Sequence, residues 1–213
     1  MIDLGGGSGF VAKGLNDIGI NTYLLEPNPK GARKGVKRGI PQVICARLED
    51  CHFEANSIGG FGLFDVIEHI KNDKQYIDQL HPLLMPGGHI YITTPAYSWL
   101  WSAEDDYAQH FRRYTRPALC DLFDPNKFEI EYVTYFFQWL VIPIFLIRSI
   151  PYRLGLAKAT PDFAPNIDHH ARQEGESSTL FERLLSYEIK SIENKKQTRW
   201  GASLLMIAKK KAL

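Results

Sequence analysis

The chain has 213 residues, 45% of them hydrophobic and 23% charged, which excludes a disordered polymer and suits one α/β core. Its 25 basic and 24 acidic residues leave a formal charge of +1, so no global field calls for nucleic acid, which is disfavoured as a partner. Cys45, Cys51 and Cys120 are too scattered for a disulfide framework or a zinc site, and the opening residues lack a signal-peptide layout. A cytoplasmic protein is expected.

In chain order, short apolar runs alternate with helical segments, the pattern of a parallel sheet covered on both faces. Residues 1–4 end a first strand, residues 9–18 form a helix, and residues 22–25 and 42–46 are the second and third strands. Residues 61–67 read as the fourth strand. An amphipathic helix over 73–84 follows, with Ile77, Leu80 and Leu84 on one face and Asn72 or Asp73 as its N-cap. Pro86-Gly87-Gly88 stops it, and residues 89–94 alternate as a fifth strand. Residues 128–136 supply a sixth strand, residues 180–192 a helix, and residues 203–208 the closing strand.

Residues 133–147 carry no charge, contain Pro143 and fall short of the roughly 20 residues a spanning helix needs. They read as a strand followed by a buried or lid helix, or as a surface that meets lipid or an apolar substrate. Arg148 and Arg153 follow. The expected layout is a single domain over 1–213, with an apolar insert or lid around 137–155 and an exposed loop around 158–178. The helices that ordinarily precede the first strand of such a domain are missing from the sequence.

The richest chemical signal is the opening run Asp3-Leu4-Gly5-Gly6-Gly7-Ser8-Gly9, between a strand and a helix. Glycines there allow a tight turn and let backbone amides approach a ligand over a helix N-terminus. The spacing D-x-G-x-G-x-G differs from the G-x-G-x-x-G of dinucleotide folds and favours S-adenosylmethionine. Asp3 sits where a carboxylate meets the ammonium of such a ligand, and Glu26, at the end of the second strand, can accept both ribose hydroxyls. Asp3, Gly5, Gly6, Gly7, Gly9 and Glu26 are therefore the candidate cofactor residues.

The runs MIDLGGGSGF, LLEPNP, FDVIEHI and LLMPGGHIYITTPAYSWLW, in that order, resemble the motif set of class I methyltransferases, and GASLLMIAKK resembles their closing strand. TTPAYSWLWSAEDDYAQHFRRYTR resembles a bacterial and archaeal subgroup, and the chain is distantly similar to quinone-biosynthesis O-methyltransferases. The resemblance implies a Rossmann-like, doubly wound, seven-stranded sheet, mostly parallel with the last strand antiparallel. It also implies an adenine-side acidic residue after the third strand, ahead of Pro-Phe. Here His52 replaces that proline, and Leu48 and Glu49 are the candidates.

Asp65-Val66-Ile67-Glu68-His69 falls at the C-terminal edge of the fourth strand, where open α/β sheets bind ligands. Asp65 is placed towards the methionine part of the cofactor, and Glu68 and His69 towards the acceptor, with His69 as general base. Together with the later His110, the motif also resembles the metal site of small-RNA terminal 2′-O-methyltransferases. Asp65, Glu68, His69 and His110 would then hold Mn²⁺, Fe²⁺ or Zn²⁺. A purely structural role is the third reading.

Arg112, Arg113 and Arg116 suit an anionic group on the substrate, or pair with Glu104, Asp105 and Asp106. Tyr97, Trp99, Trp101 and Phe111 either wall a dry pocket, which favours a displacement that cancels charge, or belong to the core. Tyr97, Trp101, Arg112 and Arg113 are the candidate substrate contacts; His69, Glu68 and His110 are the catalytic ones.

The function expected is S-adenosylmethionine-dependent methyl transfer, O-directed, onto a small or lipid-like acceptor, with a divalent metal as optional cofactor. Two alternatives remain. One is a non-catalytic module docking a membrane or partner through its apolar segment, giving peripheral membrane contact. The other is a nicotinamide-dependent oxidoreductase.

Overall fold

The structure, a computed structural model, describes residues 1–157 and 179–212. Seven strands form one sheet in the order β3-β2-β1-β4-β5-β7-β6. They are β1 (Ile2–Leu4), β2 (Tyr23–Leu25), β3 (Val43–Ile44), β4 (Ile58–Phe64), β5 (Leu84–Pro95), β6 (Phe128–Phe136) and β7 (Ser203–Lys210). β1 pairs in parallel with β2 and β4, β2 with β3, and β4 with β5. One strand is antiparallel, giving the Rossmann-like methyltransferase arrangement. The expected fold class is thereby borne out.

The chain folds into two compact units. The first comprises Met1–Thr94, Pro117–Val133 and Leu205–Leu213. Its core is built on Leu4, Leu24, Leu25, Phe61, Leu63, Ile90 and Ile92, all essentially buried. Helix α1 (Phe10–Asp17) lays Ala12 against Leu24 and Ile40. Helix α2 (Pro29–Lys37) starts with Asn28 accepting the Lys30 amide at 2.9 Å, with Pro29 in the first turn. Its apolar pattern is too thin to read from sequence, and it was not expected. Helix α3 (Asp73–Leu80) buries Ile77 and Leu80.

Several boundaries differ from expectation. α3 ends at Leu80, since Pro82 has no backbone N–H with which to continue the helical ladder, and Leu84 instead opens β5. Pro86-Gly87-Gly88 therefore lies within β5; Ile58 pairs with Leu84 and Gly60 with His89, and the register shift absorbs the intervening residues. β4 begins earlier than its glycines suggest and stops at Phe64, because Asp65 takes a left-handed φ of 55° that a ladder does not accept. The strand over 128–136 matches expectation. The exposed loop expected around 158–178 lies outside the described residues.

Lys210 closes the first unit. Its buried Nζ donates to Asn56 Oδ1 and to the carbonyls of His81 and Leu84, each at 2.8 Å, tying β7 to the end of α3 and the start of β5. Lys210→Met removes all three bonds at once. Urea unfolding followed by circular dichroism is expected to show a loss of about 1–3 kcal/mol.

The second unit comprises Pro95–Arg116 and Thr134–Leu204. It holds α4 (Ala103–Tyr107), and α6 (Val141–Ile144) running through a π-helical turn (Phe145–Ser149) into α7 (Ile150–Arg153). Helix α8 (Thr179–Glu193) follows. Leu100, Val141 and Ala202 form its core, with Tyr97, Phe137, Leu140, Ile144 and Phe145 packed against them. Short α5 (Arg116–Cys120) was not expected either, nor was α4.

Candidate functional site

The glycine run turns at the C-terminal end of β1, in the first unit. Gly6 is required by its neighbour: a Cβ there would stand 2.3 Å from Asp3 Oδ2 and 2.7 Å from Leu24 Cδ1. Gly7, with φ 56°, swings its amide towards Glu26 and donates to Oε2 at 2.7 Å. Glu26 accepts a second backbone bond, from Asn28 to Oε1, also at 2.7 Å. The carboxylate is thus buried and held between the glycine turn and the N-cap of α2, and its four lone-pair positions leave room for two more donors.

Asp3 lies beneath this turn, fully buried. Its Oδ2 accepts the Ala12 amide at 3.2 Å, while Oδ1 has no hydrogen-bond partner among the described residues. Burial raises its pKa to about 7, against the lowering effect of the Ala12 bond and with a further push from the Glu26 charge. Asp3 thus reaches the backbone of α1 from beneath the loop.

A cavity of about 600 Å³ opens at the C-terminal ends of β1 to β4. Leu4, Gly5, Leu25 and Pro27 line one part, and Leu48 and Glu49, in a 3-10 turn after β3, line another. The substitution of His52 for proline leaves that turn in place. Val66, His69 and Ile70 close the cavity from the segment after β4. Asp65 is exposed and Glu68 is fully buried, with Thr94 Oγ1 donating to Glu68 Oε2 at 3.2 Å.

Sequence reasoning missed one wall. Asn72, Gln75, Tyr76 and Gln79 line the cavity from α3. Ile77 and Leu80 mark the buried stripe of that helix, but a polar opposite face looks the same whether it meets solvent or a ligand. Burial, then the nearby Glu49 charge, pushes Tyr76 up to about 12, so its phenol stays a neutral donor. Ala46, Arg47 and Lys71 complete the lining.

A glycine turn over the sheet's C-terminal edge, a caged acidic residue after β2 and an adjoining cavity are now joined by a direct sequence match: a family model for the methyltransferase domain covers residues 1–133. The chain belongs to the methyltransferase domain family. Solved structures agree on the fold. A methyltransferase of Haloferax volcanii, determined with the Trm112 methyltransferase activator, is 13% identical with a TM-score of 0.62, covering 100% of this chain and 82% of that one. A SAM-dependent methyltransferase of Methanosarcina mazei is 12% identical with a TM-score of 0.60, covering 100% and 92%. A Haemonchus contortus phosphoethanolamine N-methyltransferase, solved with phosphomonomethylethanolamine and S-adenosylhomocysteine, is 17% identical with a TM-score of 0.57, covering 100% and 48%. No curated protein matches the chain in sequence. Its fold is the one these methyltransferase structures share.

The methyltransferase places its expected aromatic and arginine residues in the second unit. Tyr97 stacks on Tyr135 with centroids 5.0 Å apart, and on Trp99 at 5.4 Å. Burial and a bond with Tyr135 raise its phenol pKa. Trp101 donates its indole N–H to Asp106 Oδ1 at 2.9 Å, and Phe111 is exposed. Half-buried Arg112 lies next to Arg113, which is committed to Asp105 through Nε to Oδ1 at 2.7 Å and Nη2 to Oδ2 at 2.9 Å. Arg116 donates to the Thr198 carbonyl at 2.7 Å. Of the expected acidic partners, Asp105 takes Arg113, and Glu104 takes Arg148 at 3.3 Å.

His110 belongs to the same unit. Its Nδ1 sits 2.8 Å from Asp105 Oδ1. Burial alone would raise Asp105, but bonds from His110 and Arg113 and the Ser102 amide outweigh it and hold the carboxyl at about 2. The ionised carboxylate thus fixes the His110 ring as a donor at Nδ1. Asp65, Glu68 and His69 are in the first unit and His110 is in the second.

Proposed function

We propose that the protein methylates a hydroxyl oxygen of a small or lipid-like acceptor. The observation that carries the donor assignment is the Glu26 carboxylate, pinned by the Gly7 and Asn28 amides beside a 600 Å³ cavity of ordinary ligand size. Gly5, Gly6, Gly7 and Gly9 bring the backbone close to the donor, with Asp3 bracing the turn; Glu26 accepts the ribose hydroxyls. Leu48 and Glu49 flank the base, and Asp65 faces the amino-acid end. The donor supplies a methyl group on a sulfonium, which leaves as the thioether when the oxygen attacks.

Opposite charges disappear in that displacement, so a water-poor site favours it, and alignment of the two reactants does most of the remaining work. His69, at the cavity wall, takes the acceptor's proton, with buried Glu68 beside it in sequence holding the turn. His110, whose donor nitrogen is fixed by Asp105, is the second candidate base. Tyr97, Trp101, Arg112 and Arg113 are the candidate acceptor contacts; direction to oxygen rests on the likeness to quinone-biosynthesis O-methyltransferases.

Thermal unfolding tests the donor site without knowledge of the acceptor. S-adenosylhomocysteine at about a hundred times its dissociation constant stabilises by about 2.7 kcal/mol, which for a chain of this size raises Tm by about 5–10 °C. Glu26→Ala is expected to remove most of that shift, read against the variant's own unliganded melt, which falls because the Gly7 and Asn28 amides lose their acceptor. An unmoved melt at millimolar ligand overturns the assignment, and a shift with NADH instead supports an oxidoreductase.

A further inference from the structure

We infer that the second unit docks on an anionic phospholipid surface through the outer face of α6, the π-helical turn and α7. This stretch, Val141 to Arg153, is about 20 Å long at 1.5 Å per residue. Its inner face is accounted for: Val141 is core, Ile144 and Phe145 pack on it, and Ser149 is fully buried. The outer face is apolar too. Ile142 is 61% exposed, Leu146 55% and Ile147 72%, and Leu154 and Leu156 beyond α7 reach 67% and 78%. A helix apolar all round belongs in a core or against lipid, and a polar outer face would have served equally well in water.

The charges name the occupant. Residues 133–157 contain no acidic side chain, and their cations are Arg148 and Arg153. Arg148 is half exposed beside Glu104, and Arg153 donates to the Trp99 carbonyl with its guanidinium over Phe145. Trp99 is itself 42% exposed. Aliphatics flanked by arginine and an exposed indole suit the headgroup boundary, where the apolar chains sink and the cations meet lipid phosphate. Among the described residues no helix is long and apolar enough to cross a membrane, so the stretch lies in the interface plane. A two-fold contact between copies would gather the arginines of both copies in one interface with no acidic residue from this stretch to pair them, which disfavours that occupant.

Vesicle flotation of the full chain tests this. The protein should float with phosphatidylcholine–phosphatidylserine vesicles, less with phosphatidylcholine alone, and less again at high salt. The combined variant Ile142→Ser, Leu146→Ser, Ile147→Ser should lower the partition coefficient by about tenfold or more, while Arg153→Gln should reduce the preference for phosphatidylserine. Because the three positions are exposed, the triple variant should keep the wild-type melt and its response to S-adenosylhomocysteine. That response separates failure of docking from failure of the donor site. Wild type that stays at the bottom of the gradient overturns the inference, as does a triple variant that floats equally well. A lipid-free dimer in sedimentation that the triple variant abolishes assigns the face to a second copy and overturns it too.

Discussion

Asp105→Ala is expected to be the most damaging single substitution in the second unit, lowering stability by about 3–5 kcal/mol. Asp105 is 1% exposed and holds Arg113, 10% exposed, through two bonds, so its loss leaves a buried guanidinium without its counter-charge. It also releases His110 Nδ1 and unties the Ser102 amide. The pH dependence has a definite sign. The folded carboxyl, at about 2, lies below the ordinary aspartate value, so its stabilisation is present above about pH 4 and is lost as pH falls towards 2. Urea midpoints at pH 7 should separate wild type from variant by the full amount, and acid titration should bring them together. A difference under about 1 kcal/mol at pH 7 would show that the pair is no more than a surface bridge.

Asp3→Asn is expected to show the opposite pH dependence. The folded value of about 7 lies above that of an unfolded aspartate, because the side chain is fully buried beneath the glycine turn. Its contribution is therefore fully present below about pH 4 and disappears as pH rises through 7. Wild type should lose on the order of 2–4 kcal/mol from this group across that window, and a neutral amide of the same shape should not. Comparing urea midpoints at pH 5 and pH 8, the variant should gain on wild type at the higher pH. An equal difference at both values means that Asp3 ionises freely in the folded chain. The outcome bears on function, since a charged Asp3 would repel Glu26 across the turn that it braces.

Much of the fold could be read from local pattern. β6 was placed to the residue, because alternation and β-branched or aromatic composition needed no partner to be recognised. The turn at Gly5, Gly7 and Gly9 was equally legible, since a strand–turn–helix glycine spacing is a local demand of the backbone. α2 was missed because tertiary contact, here of Ala32 and Gly35, stabilises a helix with little apolar stripe. α3 and β5 were misjoined at Leu84 because its apolar side chain suits either period until pairing with Ile58 assigns it.

What the sequence by itself determined was chemical type: which residues can turn, which carry charge or hydrogen-bonding groups, and the order of strands and helices along the chain. Tertiary structure alone decided roles among like side chains. It sent Asp3 under the loop and left Glu26 at its lip, gave Arg113 to Asp105, turned the Gln75–Gln79 face of α3 into a cavity wall, and left Ile142, Leu146 and Ile147 in water. The physical reason is that burial and pairing are properties of what arrives from elsewhere in the chain, and neither is written in the spacing of neighbours.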